Sequence, residues 1–287
     1  MDATTHLNER RLTDALAELQ PNPLDAAAMQ PHSDRLAFTD TEFMLRRETR
    51  GIRFQLEMLK PDLGQAAQGI ENTIVVYGSA RFVAADEAAA LLATAQATGD
   101  AQAIALAERA VRNARYYELA REFASIVAQH SNLQELANRL YVCTGGGPGI
   151  MEAANRGASE AGALTVGLNI ALPHEQGSNP YITPTLSYRF HYFALRKMHF
   201  MMRAKALVAF PGGFGTMDEL FEVLTLVQTG KAKPVPIILF GTDFWNSLLN
   251  FQVMVDAGTI AEEDLALFHI TDDPQEAWNK IKAFYQL

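Results

Sequence analysis

The sequence predicts an α/β protein: a doubly wound, Rossmann-like parallel sheet with an N-terminal helical extension. Three observations carry this. Short unbroken apolar runs rich in Val and Ile recur along the chain, the pattern of strands buried on both faces. Longer helical stretches separate them, and such alternation builds a parallel sheet covered on both sides. Three of the runs end in glycine-rich turns, at the carboxyl ends where sheets of this kind bind ligands.

Residues 1–70 read as the extension, with a short helix at 7–19, a Pro-containing loop and a helical pattern near 40–60. The apolar residues of that pattern, Phe43, Leu45, Phe54, Leu56 and Leu59, form no single clean face. Asn22-Pro23, Pro31 and Lys60-Pro61 punctuate the region. Residues 71–287 form the main domain. "TIVVYGSAR" at 73–81 is a buried strand and its loop. The Ala-rich stretch 84–129 makes one or two helices, broken at "TGD" (98–100). "LYVCTGGGPGIMEAANRGASEAG" is a second strand, a glycine loop and a helix ending near Gly162, and "LTVGLNI" is a third strand. Residues 171–187 read as a long proline-broken loop, a length that more often signals function than filler. A helix at 188–204 leads to the fourth strand, "ALVAF", and the loop "PGGFGTMDE". Then follow a helix at 217–228, the strand "VPIILF", and helices near 243–257 and 274–285.

A net charge of −9 provides no basic field for a nucleic-acid polymer. No apolar run approaches the ~18 residues of a membrane span, and the start lacks the apolar core of a signal peptide. The expectation is a cytoplasmic protein without membrane contact. A single cysteine, Cys143, excludes an internal disulfide and a cysteine-rich metal site. His191 and His199 lack ligand spacing with acids. Neither a metal nor a cofactor is expected.

The glycine loops are Gly78-Ser79-Ala80-Arg81, Thr144-Gly145-Gly146-Gly147-Pro148-Gly149 and Pro211-Gly212-Gly213-Phe214-Gly215-Thr216. Glycine lets a ligand approach the main chain, and a helix beginning next aims N–H groups and a positive dipole end at the same point. Any one loop is equally well a plain strand-to-helix turn; three in one sheet point to phosphate. The dinucleotide pattern fails because Ile150 and Glu152 stand where small residues are needed, and no Lys-Ser/Thr pair follows the glycines as in a P-loop. A smaller phosphorylated ligand is expected. Asp218 and Glu219 read as first-turn acids of the following helix: Asp218 as a dipole partner, Glu219 as a carboxylate able to face a sugar. Arg189, Arg196 and Arg203 recur every seven residues on what reads as one helix stripe. A solvated charge stripe is the plain alternative for them.

At this point "PGGFGTMDE", with Arg196-Lys197 upstream, resembles the PGGxGTxxE signature of the LOG family. These are the cytokinin riboside 5′-monophosphate phosphoribohydrolases, often labelled "possible lysine decarboxylase". "GGGPGIMEAANRGA" and "GLNIALPHEQGSNPY" are similar to bacterial members, and the likeness spans roughly residues 71–260. It implies a Rossmann-like catalytic domain that hydrolyses the N-glycosidic bond of a nucleoside 5′-monophosphate, AMP-like or N6-modified, without a cofactor. It implies Arg196 and Glu219 as catalytic residues. It implies that Gly212, Gly213, Gly215 and Thr216 cradle the 5′-phosphate; Gly78, Ser79, Arg81, Gly145, Gly146 and Gly147 of the other glycine loops, with Lys197, complete the expected nucleotide-binding set. It also implies a homodimer or higher homo-oligomer. A pyridoxal-phosphate decarboxylase is disfavoured, because Lys197 and Lys205 have no Schiff-base context. The alternative is a carrier or sensor that holds a phosphorylated ligand in the same pocket without cleaving it.

Overall fold

The computed structural model describes residues 32–172 and 177–287; the expected helix at 7–19 and residues 173–176 of the long loop lie outside them. The chain divides into two compact units between Arg53 and Phe54. In the first, α1 (Thr41–Met44) is capped by Asp40, whose carboxylate accepts the N–H groups of Glu42 and Phe43 at 3.0 and 3.2 Å. Helix α2 (Arg50–Ala67) leads from this unit into the second. It runs through Pro61, so Lys60-Pro61 does not end the helix as the sequence suggested.

The second unit is built on seven parallel strands in the order β4-β3-β2-β1-β5-β6-β7. They are β1 (Asn72–Tyr77), β2 (Leu140–Thr144), β3 (Thr165–Ile170), β4 (Ser187–Phe190), β5 (Ala204–Ala209), β6 (Ile237–Phe240) and β7 (Phe268–Thr271). The five apolar runs all form strands. β4 and β7 were not expected, and both lie at sheet edges. β4 alternates exposed and buried residues, so it has no continuous apolar run to betray it. It occupies residues read from sequence as the end of a loop and the start of a helix.

The helices are α3 (Ala85–Thr98), α4 (Ala101–Asn132), α5 (Ile150–Glu160), α6 (Phe193–Met202), α7 (Phe214–Gln228), α8 (Thr242–Leu248), α9 (Phe251–Asp256) and α10 (Pro274–Tyr285). The break at residues 98–100 is present, with Asp100 capping α4. α7 begins three residues before the expected Met217, because glycine at 215 does not stop a helix whose later residues favour it. Asp218 and Glu219 therefore sit in its second turn, not its first. The single helix expected at 243–257 is two, α8 and α9.

At the centre of the sheet, Ile74 lies opposite Val142 on one side and Ala206 on the other. Successive side chains of β1 face opposite layers. Ile74 and Val76 join the core under α4, α5 and α10, while Val75 and Tyr77 join the core under α6 and α7. The chain passes outward through β2, β3 and β4, then returns to place β5 on the other flank of β1. The gap beyond β1 and β5 is thus the topological switch point, where open parallel sheets hold their ligands.

Candidate active site

The loops at the switch point are stitched together by main-chain hydrogen bonds. Phe210 N–H donates to the Tyr77 carbonyl at 2.8 Å, Ser79 N–H to Pro211 at 3.0 Å, and Ile150 N–H to Ser79 at 3.0 Å. In the first two glycine loops the lack of a side chain serves this packing. A Cβ on Gly78 would lie 2.6 Å from Ile150, and one on Gly149, at φ +72°, would lie 2.3 Å from the Ser79 carbonyl oxygen. Gly146, at φ +75°, would place its Cβ 2.1 Å from the Asn169 Oδ1. Gly145 and Gly147 back onto Met151, and a Cβ on Gly145 would come within 3.8 Å of the Arg196 guanidinium.

Buried amides fix the second loop. Thr144 Oγ1 accepts from Gly146 N–H at 3.0 Å and donates to Asn155 Oδ1 at 2.7 Å. The Asn179 Nδ2 lies 3.2 and 3.1 Å from the carbonyl oxygens of Gly146 and Gly147, and 3.0 Å from Asn155 Oδ1. Asn155 and Asn179 were not singled out from sequence. The available signal was an asparagine on the apolar stripe of α5, and another in "SNPY" where the long loop returns.

The third loop differs. Gly213 is the N-cap of α7 and contributes no side-chain cap. Its φ of −93° suits any residue, and a Cβ on Gly213 or Gly215 meets no other protein atom within 4 Å. Neither conformation nor packing against the protein requires glycine at these two positions. The first-turn N–H groups of this 15-residue helix have no intrahelical acceptor, and its positive end lies at the switch point. Gly212 is a packing glycine, because its Cβ would collide with Thr216 Oγ1 at 2.1 Å.

Beside this turn lies a buried ion pair. Arg196 on α6 meets Glu219 on α7, Nη2 to Oε1, at 2.9 Å, with side chains 13% and 6% exposed. The Arg196 guanidinium lies 5.2 and 5.4 Å from the rings of Phe193 and Phe200, which hold it by cation–π attraction. Burial pushes the Glu219 carboxyl up to about 7, although Arg196 and then Lys197 pull it down. Tyr77 packs edge-on to Phe200 at 5.0 Å, and its buried hydroxyl has no hydrogen-bond partner. Burial, then the neighbouring Glu219 charge, raises that phenol well above its usual range. Tyr77 was read from sequence only as the end of a strand. A tyrosine hydroxyl at the end of an apolar run was the signal available.

The remaining expected residues are dispersed. Lys197 is held by Asp218 at 2.8 Å and Glu222 at 3.1 Å. Burial opposes its charge, but the hydrogen bonds to these acids outweigh that and raise its pKa. Asp218 is accordingly the partner of Lys197, not of the helix dipole. Arg81 is exposed, and its N–H donates to Ser79 Oγ at 3.1 Å. Ser79 and Gly212 line a cleft of about 600 Å³ with Phe82, Tyr116, Asp243 and Phe244. Arg196 and Glu219 do not line it. The arginine stripe is not a stripe: Arg189 lies in β4 and Arg203 follows the end of α6, leaving Arg196 alone on the helix.

These features define a class: parallel α/β proteins with a buried Arg–Glu pair and an open glycine turn at the switch point. Residues 151–281 of the chain match the family model described as "possible lysine decarboxylase". The cytokinin riboside 5′-monophosphate phosphoribohydrolase LOG7 of Arabidopsis thaliana is 43% identical over 68 residues, covering 23% of this chain and 31% of that protein. The probable phosphoribohydrolase LOGL3 of Oryza sativa subsp. japonica is 33% identical over 91 residues, 31% of this chain and 43% of that protein. LOG5 of Arabidopsis thaliana is 29% identical over 157 residues, 53% and 67% of the two chains. The match to the first two thus spans less than half of either relative. Among solved structures, the molybdenum cofactor binding protein of Rippkaea orientalis aligns with TM-score 0.46 and 15% identity over 74% of this chain and 95% of that one. The Moco carrier protein of Chlamydomonas reinhardtii aligns with TM-score 0.43 and 20% identity over 76% and 99%. Among the described residues, no helix is long and apolar enough to cross a membrane.

Proposed function

We propose that this chain hydrolyses the N-glycosidic bond of a nucleoside 5′-monophosphate, AMP or an N6-modified AMP, to the free base and ribose 5-phosphate. The observation that carries the reading is the buried Arg196–Glu219 pair beside the uncapped α7 N-terminus. The N–H groups at the start of α7, with Thr216, take the 5′-phosphate, and glycine at 213 and 215 lets it approach the main chain. Glu219, one helical turn onward, then faces the ribose. As the C1′–N bond breaks, positive charge spreads over the ribose ring, as in other glycoside hydrolyses. The ionised Glu219 stabilises that charge and orients the water that adds to C1′, while the base leaves with a proton. Arg196 keeps the carboxylate ionised and in place despite its burial. The reading also has the chain at least dimeric. Supporting this are the exposed apolar side chains Phe193, Met198 and Met202 on α6 and Phe214 at the head of α7.

The test is a panel of nucleoside 5′-monophosphates across all bases, followed by chromatography for free base and by an assay for ribose 5-phosphate. Release of both from at least one nucleotide, in equal amounts, is expected. No release from any member overturns the reading.

A further inference from the structure

Arg196 is placed by α6, a ten-residue helix that has no side-chain cap of its own. What holds that helix is the part of α2 from Phe54 onward, before the sheet begins. The Glu57 carboxylate accepts the N–H groups of His191 at 2.9 Å and Tyr192 at 3.2 Å, just ahead of the first turn of α6. An acid there satisfies orphan donors and complements the positive end of the helix. Phe54 packs edge-on to Tyr192, ring centres 4.4 Å apart.

The middle of α6 is tied by a different device. Proline at 61 has no N–H to give the carbonyl four residues back, which is that of Glu57. His199, 3% exposed, takes that carbonyl through Nε2 at 3.2 Å. The carbonyl oxygen only accepts, so Nε2 carries the proton, and burial keeps the ring neutral by lowering its pKa. At the far end, Arg203 pairs with Asp62 Oδ1 at 2.7 Å and donates to the carbonyls of Ile70 at 2.9 Å and Asp62 at 3.2 Å. One helix therefore grips the other at its start, middle and end. The contacts at Glu57 join residues 134 and more positions apart in the chain.

We propose that α2 is a splint for α6, and that Glu57 is a positioning residue that sets where Arg196 meets Glu219. This assigns the pre-sheet helix a part in the site without placing it against substrate, and it rests on the hydrolase reading above. Small displacements of a charged group at such a site cost much more in turnover than in binding.

The experiment compares Glu57→Ala, Glu57→Gln and Glu57→Asp with the full chain. AMP kinetics, melting temperature and the titration of Glu219 would be followed, the last by infrared carboxylate difference against Glu219→Gln. Glu57→Ala is expected to lower kcat about ten- to a hundredfold with KM for AMP changed less than about threefold. The same variant should titrate Glu219 at higher pH, because its Arg196 counter-charge is displaced. Glu57→Asp should recover part of kcat, and Glu57→Gln should fall between it and Ala. Unchanged kcat and unchanged Glu219 titration in folded Glu57→Ala would overturn the splint. So would a loss of kcat accompanied only by a fall in melting temperature, with Glu219 titrating as before. If the full chain hydrolyses no nucleotide, the functional reading fails, and the Glu219 titration still decides the splint.

Discussion

Two sets of glycines that look alike as sequence behave differently in the fold. Gly78, Gly146 and Gly149 are filled against by the protein itself, with Ile150, Asn169 and the Ser79 carbonyl standing where a side chain would go. Gly213 and Gly215 have no such neighbour, and Gly213 has a backbone conformation open to any residue. The first set lets the loops after β1 and β2 close on one another. The second has no such reason in the packing, and under the proposed hydrolase reading the phosphate is what comes near the main chain of α7. Glycine content alone therefore does not say which glycines the packing requires; the neighbours do. Of the three loops that together suggested phosphate, the third now carries that reading.

The strongest way to break this comparison is to remove the phosphate. Several charge-assisted hydrogen bonds at the α7 N-terminus should be lost with it, each worth about 1.5–3 kcal/mol. Adenosine is accordingly expected to show kcat/KM about a thousandfold or more below AMP in steady-state assays, and equal turnover would reduce the third loop to a turn. Glu219→Gln should come next, lowering kcat by about 10² to 10³ while AMP affinity by calorimetry stays near that of the parent chain. Retained kcat would remove the carboxylate from its role.

Gly213→Val sharpens the contrast directly. It should raise KM for AMP about a hundredfold, with the melting temperature little changed, since a Cβ at this position meets no protein atom within 4 Å. Gly149→Ala should do the reverse. A left-handed φ and a backbone clash should cost about 1–3 kcal/mol of stability in denaturant unfolding. If the two variants produce the same profile, the distinction between packing and binding glycines is wrong.

The pH profile has the smallest effect per step. Glu219 titrates near 7 because burial penalises its charge. If the ionised form works, kcat/KM of the free enzyme should fall about tenfold per pH unit below 7 and level off above it. Stability should run the other way. The folded carboxyl holds its proton more tightly than the unfolded one, so its contribution is complete below the unfolded pKa and is lost as pH rises through about 7. The Glu219→Gln chain should lack both slopes, which pH-rate and pH-unfolding measurements would check.

Much of the fold was legible because its signals are local. Strands β1, β2, β3, β5 and β6 are continuous apolar runs, and the alternation with helices gave their parallel arrangement. Strands β4 and β7 were not legible, since an edge strand is covered less completely and "SYRF" and "FHIT" carry no unbroken apolar run. The resemblance of "PGGFGTMDE" and its upstream arginine to the LOG signature implied Arg196 and Glu219 as catalytic partners, and the two side chains do meet. Lys197 was placed at the nucleotide through the same match of Arg196-Lys197 to the signature. On a helix adjacent residues point about 100° apart, and Lys197 pairs with Asp218 and Glu222.

The sequence by itself determined the α/β class, the order of the main elements, and which strand ends bear glycine, because each depends on residues within one or two turns of each other. Tertiary structure alone decided which glycines are packed, that Asn179 latches the second loop, that Tyr77 packs edge-on to Phe200, and that Glu57 and His199 bind α2 to α6. Those facts join residues from distant parts of the chain. They follow from which faces the sheet brings together, and no local periodicity records that.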